Sequence, residues 1–380
     1  MRGLEFWRTP VPDVFSIIIS IVSLFLLANA LIVVHELGHY AVARFVGVTA
    51  RRFALGFGPR LFECTDRRGT LWSFSLFPMG GYVSFPGEHN AKEAGDYLNR
   101  TPLARMAIIV AGPLANILVA IAIYAGIFMV QGTPIILPIA SSVIAGSPAA
   151  RAGFQPGDRI LAADNVPVTN FDALRSLLEG NTGKTMDFAI NRRGVILDLI
   201  ATLDSKPLGG LQVGHLGIWG TVASREVLGP GQAVSAGSKR TWQVATQTFR
   251  GISQALTTGQ GAGNFRGMIG VAHLAGQAAQ AGGDELLVLM AVLSINLALM
   301  NLLPIPILDG GAFLFCFFEW VCGRPAPEHV KDFATRAGVA VVMALFFYTT
   351  VHDLAGLGIF DWLIGVVKAA KGAFSSSYDS

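Results

Sequence analysis

Residues 14–39 read VFSIIISIVSLFLLANALIVVHELGH, an uncharged apolar run from Val14 to Val34 that ends directly in two histidines and a glutamate. A helix needs about 20 residues to cross a hydrocarbon core, and this run is long enough. It exceeds the apolar part of a signal peptide, about 7–15 residues, and no small-residue cleavage site follows it. It therefore reads as a retained membrane helix. Positions i and i+4 share a helix face, so His35 and His39 can reach one metal ion together, with Glu36 beside them as a base for an activated water.

So short a motif also arises by chance, and polar residues at a helix end can simply mark the water interface. Two further considerations favour the metal. Each ionised group at bilayer depth costs about 2.5–3.5 kcal/mol, which a bound cation would offset. Far along the chain, Asn301-Leu302-Leu303-Pro304-Ile305-Pro306-Ile307-Leu308-Asp309-Gly310-Gly311 interrupts another apolar run. Two prolines break the helix there, two glycines permit unusual backbone angles, and Asp309 is the carboxylate that completes a His, His, carboxylate zinc site.

Composition agrees with this membrane setting. Of 380 residues, 52% are hydrophobic and only 14% charged, too apolar for an ordinary soluble domain. Spans are expected near Val14 to Val34, Met106 to Val130, Leu286 to Leu308 and Gly338 to Val351, the last being the shortest. Arg44, Arg51, Arg52, Arg60, Arg67, Arg68, Arg100 and Arg105 fall between the first two spans, and Arg324, Lys331 and Arg336 between the last two. Positive loops stay in the cytoplasm, which puts both termini and the segment 131–284 outside, although Arg2 and Arg8 weigh against this at the N-terminus. The first and third spans then run in the same direction, so HELGH and Asp309 can meet at one depth. Cys64, Cys316 and Cys322 are odd in number and form no CxxC pair, which indicates neither a disulfide framework nor a zinc ribbon.

Between the spans the character changes. Residues 51–85 hold two aromatic-rich runs around Asp66-Arg67-Arg68-Gly69, the chemistry of a hairpin. The second run ends in Pro78-Met79-Gly80-Gly81-Tyr82 and is apolar enough to dip into the bilayer, where backbone survives only against protein or a cavity. Its place is beside the active site. Residues 141–205 alternate turn signals with short apolar runs and read as a small mixed fold. Residues 232–258 are polar and weakly amphipathic, suited to a membrane surface, and the glycine- and alanine-rich 259–283 reads as a loop or hinge.

At HELGH (35–39), FPMGGYV (77–83), AGPLAN (111–116), SPAARAGFQPGDRI (147–160) and NLLPIPILDGG (301–311), the sequence resembles the site-2 protease family of intramembrane zinc metalloproteases (peptidase family M50). Within that family it is similar to the bacterial RseP-type branch that cleaves anti-sigma factors. The resemblance implies a polytopic α-helical membrane protein with about four transmembrane helices, a membrane-associated β-hairpin and a small α/β PDZ-like domain. It divides the chain into a first transmembrane helix with HExxH (1–46), a cytoplasmic-side hairpin loop (47–102), a second helix (103–130) and an extracytoplasmic PDZ-like domain (131–228). A surface helix and linker (229–284), a third helix (285–323) and a fourth helix with a C-terminal tail (324–380) follow.

The same resemblance implies Zn2+ held by His35, His39 and Asp309, with Glu36 as general base and acid. Asn301, Pro304, Pro306, Gly80 and Gly81 would position substrate, the hairpin pairing with an unwound substrate strand. Helix breaking alone accounts equally well for the two prolines, and helix packing is the preferred reading for Asn116 and Gly112. His352 and Asp353, adjacent and so pointing apart on a helix, are expected to pack rather than ligate. The implied setting is the bacterial inner membrane, with the PDZ-like domain periplasmic and the active site towards the cytoplasm. The implied partners are the bilayer, single-span membrane proteins and, indirectly, a site-1 protease that cuts them first, with no nucleic acid. One PDZ-like module stands where relatives often have two.

Two other classes compete. A metal-containing scaffold or chaperone that binds transmembrane helices without cutting them would have no need of Glu36. An ion or solute transporter would show internal repeats around a midplane site, and none is visible in the sequence.

Overall fold

In a computed structural model of the chain, the residues described are 14–86, 97–208, 211–258 and 267–356. The expected tail beyond 356, the N-terminal arginines and part of the glycine-rich stretch (259–266) lie outside them. Two compact units separate, residues 1–123 with 260–380, and residues 124–259.

The first unit opens with α1 (Val14–Phe45), which continues without interruption through HELGH. Next come β1 (Arg52–Thr65), β2 (Leu71–Ser84) and α2 (Pro102–Val130), whose residues from Tyr124 onward belong to the second unit. The expected simple hairpin is more folded than its sequence suggested. Arg52 to Leu55 pair in parallel with Leu71 to Phe74 and, on their other side, antiparallel with Gly81 to Ser84, while Arg60 to Thr65 pair antiparallel with Leu71 to Ser75. Each long strand thus doubles back on itself. One reversal is at Gly80, whose φ of 92° is a conformation a side chain would strain and where a β-carbon would meet Phe57 at 2.8 Å. Asp66 fastens the central turn by accepting N–H bonds from Arg68 (2.8 Å) and Thr70 (2.9 Å).

The second unit contains β3 (Thr133–Val143), α3 (Pro148–Arg151), β4 (Arg159–Ala163), β5 (Val166–Pro167) and α4 (Phe171–Glu179). It continues with β6 (Thr185–Arg192), β7 (Val195–Thr202), β8 (Asp204–Leu208), β9 (Leu211–His215), β10 (Ile218–Glu226) and α5 (Pro230–Thr258). Its main sheet is antiparallel in the order β10-β3-β4-β6-β7, with β5 on β4 and a separate β8–β9 pair. Along β6, Met186, Phe188 and Ile190 are buried and alternate with exposed Thr185 and Asp187, the period of two that a one-sided sheet imposes. They meet Leu174 and Leu178 of α4, four residues apart on one face. Asn170 starts that helix by accepting the N–H of Ala173 at 2.7 Å.

The first unit resumes with α6 (Met268–Ala281), α7 (Gly283–Asn301), α8 (Asp309–Cys322) and α9 (Glu328–Gly356). Among the described residues, α1, α2, α7 and α9 are long and apolar enough to cross a membrane. Outward-facing Ile18, Ile21, Leu26, Phe346 and Phe347 suit a lipid solvent. Three expectations change here. The third span stops at Asn301 and not at Leu308, because two prolines in 302–308 cannot continue it. The fourth starts at Glu328, ahead of Gly338, its added turns carrying charged residues. Residues 268–281, expected as loop or hinge, form α6; alanine, leucine, methionine and glutamine favour helix, and a carboxylate from elsewhere, Asp353, accepts the N–H groups of Gly267 (3.0 Å) and Gly270 (2.8 Å) at its start.

Candidate metal centre

His35 and His39 lie one turn apart on α1, and their rings meet edge to face with centroids 4.7 Å apart. Their Nε2 atoms are 3.1 Å apart. Asp309 is the first residue of α8, delivered by the break after Asn301; its Oδ2 is 3.0 Å from Nε2 of His35 and 3.6 Å from Nε2 of His39. These three atoms form a triangle whose edges bracket about 3.3 Å, the ligand spacing of a tetrahedral zinc ion with bonds of about 2.0–2.1 Å. The residues fit the metal in donor type as well as in spacing.

Gly310 and Gly311 serve this arrangement differently from the expectation. Neither has an unusual φ. They allow close approach instead: a β-carbon on Gly310 would sit 2.2 Å from the carbonyl oxygen of Leu303, and one on Gly311 would sit 2.3 Å from Cα of Pro306. The helix start can thus fold back onto the preceding loop and present Asp309.

The floor of the centre is one stripe of α2, at four-residue spacing. The carbonyl of Ile108 lies 2.8 Å from Nδ1 of His39. A β-carbon on Gly112 would lie 2.4 Å from Nε2 of His39 and 2.8 Å from Cε1 of His35. The amide nitrogen of Asn116, wholly buried, lies 3.2 Å from Nδ1 of His35. Gly38 lets α1 settle here, since a β-carbon on it would touch the carbonyl oxygen of Ala111 at 2.3 Å. Gly112 and Asn116, expected only to pack helices, therefore also face the two histidines. Their shared signal was their spacing, four apart within AGPLAN, which puts both on one face.

Glu36 points to the other side, where its Oε2 accepts the N–H of Val83 at 2.9 Å. A cleft of about 260 Å³ opens beside it, lined by His35, Glu36, Gly80, Gly81, Asn301 and Asp309, with apolar side chains completing its walls. Asn301 Nδ2 is 3.4 Å from His35 Nε2. Pro304 and Pro306 do not line the cleft; Pro306 lies under Gly338, whose β-carbon would meet its Cδ at 3.2 Å. The structure therefore gathers one histidine, two carboxylates and an asparagine around one cleft bordered by strand backbone, with His39 behind them against His35 and Asp309.

Comparison with known proteins agrees with this chemistry. The model of peptidase family M50 matches residues 23–345. A protein of Rhizobium meliloti (strain 1021) that carries a zinc-metalloprotease name is 36% identical over 90% of this chain and 96% of its own length. Metalloprotease MmpA of Caulobacter vibrioides is 32% identical over 92% of this chain and 98% of its own length. Among solved structures, the PDZ domain of an SdrC-like protein from Listeria monocytogenes is 18% identical over 24% of this chain and 94% of that one, with a TM-score of 0.20. The family match takes in both HELGH and Asp309, with most of α1 and all of α8, and the chain belongs to peptidase family M50.

Proposed function

We propose that this membrane metalloendopeptidase cleaves within the transmembrane segments of single-span membrane proteins, with His35, His39 and Asp309 as zinc ligands and Glu36 as general base and acid. The observation that carries the reading is the triangle of donor atoms, with edges of 3.0, 3.1 and 3.6 Å, two of whose residues, His35 and Asp309, line one cleft with the Glu36 carboxylate. Bound zinc would supply Lewis acidity, polarising the scissile carbonyl and acidifying water to a pKa of about 7. Glu36 takes the proton of the attacking water and hands it to the leaving amine. The Val83 N–H holds this carboxylate in place, and Asn301 supplies an amide where the substrate carbonyl would lie.

A peptide bond inside a helix is shielded by its neighbours, so a transmembrane substrate must be drawn out as a strand before it is cut. The stretch Gly81 to Ser84 pairs on one side with β1 while Gly81 borders the cleft on the other, which supports pairing of an extended substrate there. In this reading the hairpin is membrane-associated and residues 131–228 form a periplasmic PDZ-like domain. That domain admits substrates such as anti-sigma factors only after a site-1 protease has trimmed them. The membrane in this reading is the bacterial inner membrane, and the arginine-rich loops support a site on its cytoplasmic side.

The test is cleavage of a single-span membrane protein by reconstituted wild type and Glu36→Gln, with zinc measured on both. Wild type should cut and lose activity to a chelator, while the variant keeps its zinc and is inactive. A zinc-loaded wild type that cuts no single-span substrate would favour the binding scaffold, and a metal-free wild type would overturn the ligand assignment.

A further inference from the structure

We infer that Asn116 is the positioning residue of His35, its carboxamide turning to present oxygen to Nδ1–H when the metal is bound; this rests on the zinc-site reading above. Both histidines face Asp309 and one another through Nε2. A ring nitrogen that gives its lone pair to a cation carries no proton, so the proton of each neutral ring belongs on Nδ1. A buried N–H then needs an acceptor. His39 has one in the carbonyl of Ile108. For His35 the group against Nδ1 is the side-chain amide of Asn116.

That amide is shaped for either state of the ring. Asn116 is wholly buried, and Ser294 Oγ holds its backbone by donating to the Asn116 carbonyl at 2.8 Å. Its Oδ1 is buried with no hydrogen-bond partner among the described residues, while Nδ2 faces His35. Among the described residues, the contact with His35 is thus the one hydrogen bond that sets the rotation of the amide. Without metal, Nδ2–H donates to the Nδ1 lone pair and His35 presents Nε2–H to Asp309. With metal, the proton moves to Nδ1 and a half-turn of the amide puts Oδ1 on it. An aspartate could serve only the second state, and an aliphatic residue neither.

The test is zinc affinity, read by chelator competition on full-length wild type, Asn116→Leu and Asn116→Asp in detergent. Loss of a group that orients a metal-bound histidine weakens affinity by about 10–100-fold, and Asn116→Leu should do so. Asn116→Asp, which keeps the acceptor oxygen, should stay within about threefold of wild type. Asn116→Leu binding zinc as tightly as wild type would overturn the proposal, as would a tenfold or greater loss in Asn116→Asp, whether or not the leucine variant folds. A wild type that holds no zinc would instead count against the metal reading itself.

Discussion

Gly112 of α2 lies against His39 of α1 so closely that a β-carbon would stand 2.4 Å from Nε2, the atom that faces Asp309. In an exposed helix interior, replacing glycine by alanine gains about 1 kcal/mol. Here the same change must push α2 away or turn the ring. Gly112→Ala should therefore cut zinc content and proteolysis at least tenfold while leaving the helical circular dichroism intact. Metal analysis of the purified variant checks this, and full zinc occupancy would mean that the ring yields without losing its ligand geometry.

Val83 suggests a cleaner way to disturb the base. Its N–H leaves the β ladder to reach Glu36, and proline is tolerated in a strand where the N–H faces away from the ladder. Val83→Pro should keep zinc but lower kcat about tenfold or more, the worth of a hydrogen bond to a charged group. Val83→Ala, which retains the N–H, should stay near wild type. Equal kcat in the proline variant would show that Glu36 is held by other means.

How far these features could be read in the sequence depended on how local their causes are. HELGH declares a shared helix face through its own spacing, and LPIPILDGG declares a break through its prolines, so the three residues the fold brings together as candidate ligands were legible. Gly112 and Asn116 mean one thing against lipid and another against His35, and nothing within AGPLAN says which. The doubled-back strands were hidden for a similar reason: two aromatic runs around a turn suggest one hairpin, while the register follows from reversals such as that at Gly80. Residues 268–281 looked like a hinge because glycine and alanine are ambiguous, and the group that starts their helix lies on α9.

That group gives a stability prediction. The first residues of α6 have no side-chain cap of their own; the buried carboxylate of Asp353 accepts two of the N–H groups there. Removing such a cap costs about 1–2 kcal/mol. Asp353→Ala should lower the unfolding midpoint and speed hydrogen exchange in 268–281 before other helices, with Asp353→Asn intermediate. Unchanged exchange there would mean that packing alone holds α6, in which Gly276 sits against Ser20 of α1.

The second unit should respond to acid through a different pair. Asp158 is wholly buried and accepts two bonds from Arg192, at Nε and Nη2, both 2.7 Å, and one from the N–H of Gln155 at 2.8 Å. Burial alone would raise its pKa; the Arg192 guanidinium and the Gln155 N–H outweigh that and hold the carboxyl below the usual carboxylate range. A carboxyl more acidic in the folded than in the unfolded chain contributes its full stability above the unfolded value, about 3.9. It loses that contribution as pH falls towards and through the folded value. Arg192→Ala leaves a buried carboxylate without its cation, a change that costs about 3–5 kcal/mol. The lower end applies because part of Arg192 is exposed. Hydrogen exchange across β4 and β6 in the full-length variant at pH 7 should then lose about 100-fold of its protection. The deficit should shrink below about pH 4, where protonation of the carboxyl, first in the unfolded chain and then in the folded one, removes the wild-type pair's own contribution. A deficit that stayed constant down to pH 2 would assign the effect to lost packing of the Arg192 side chain instead of its charge.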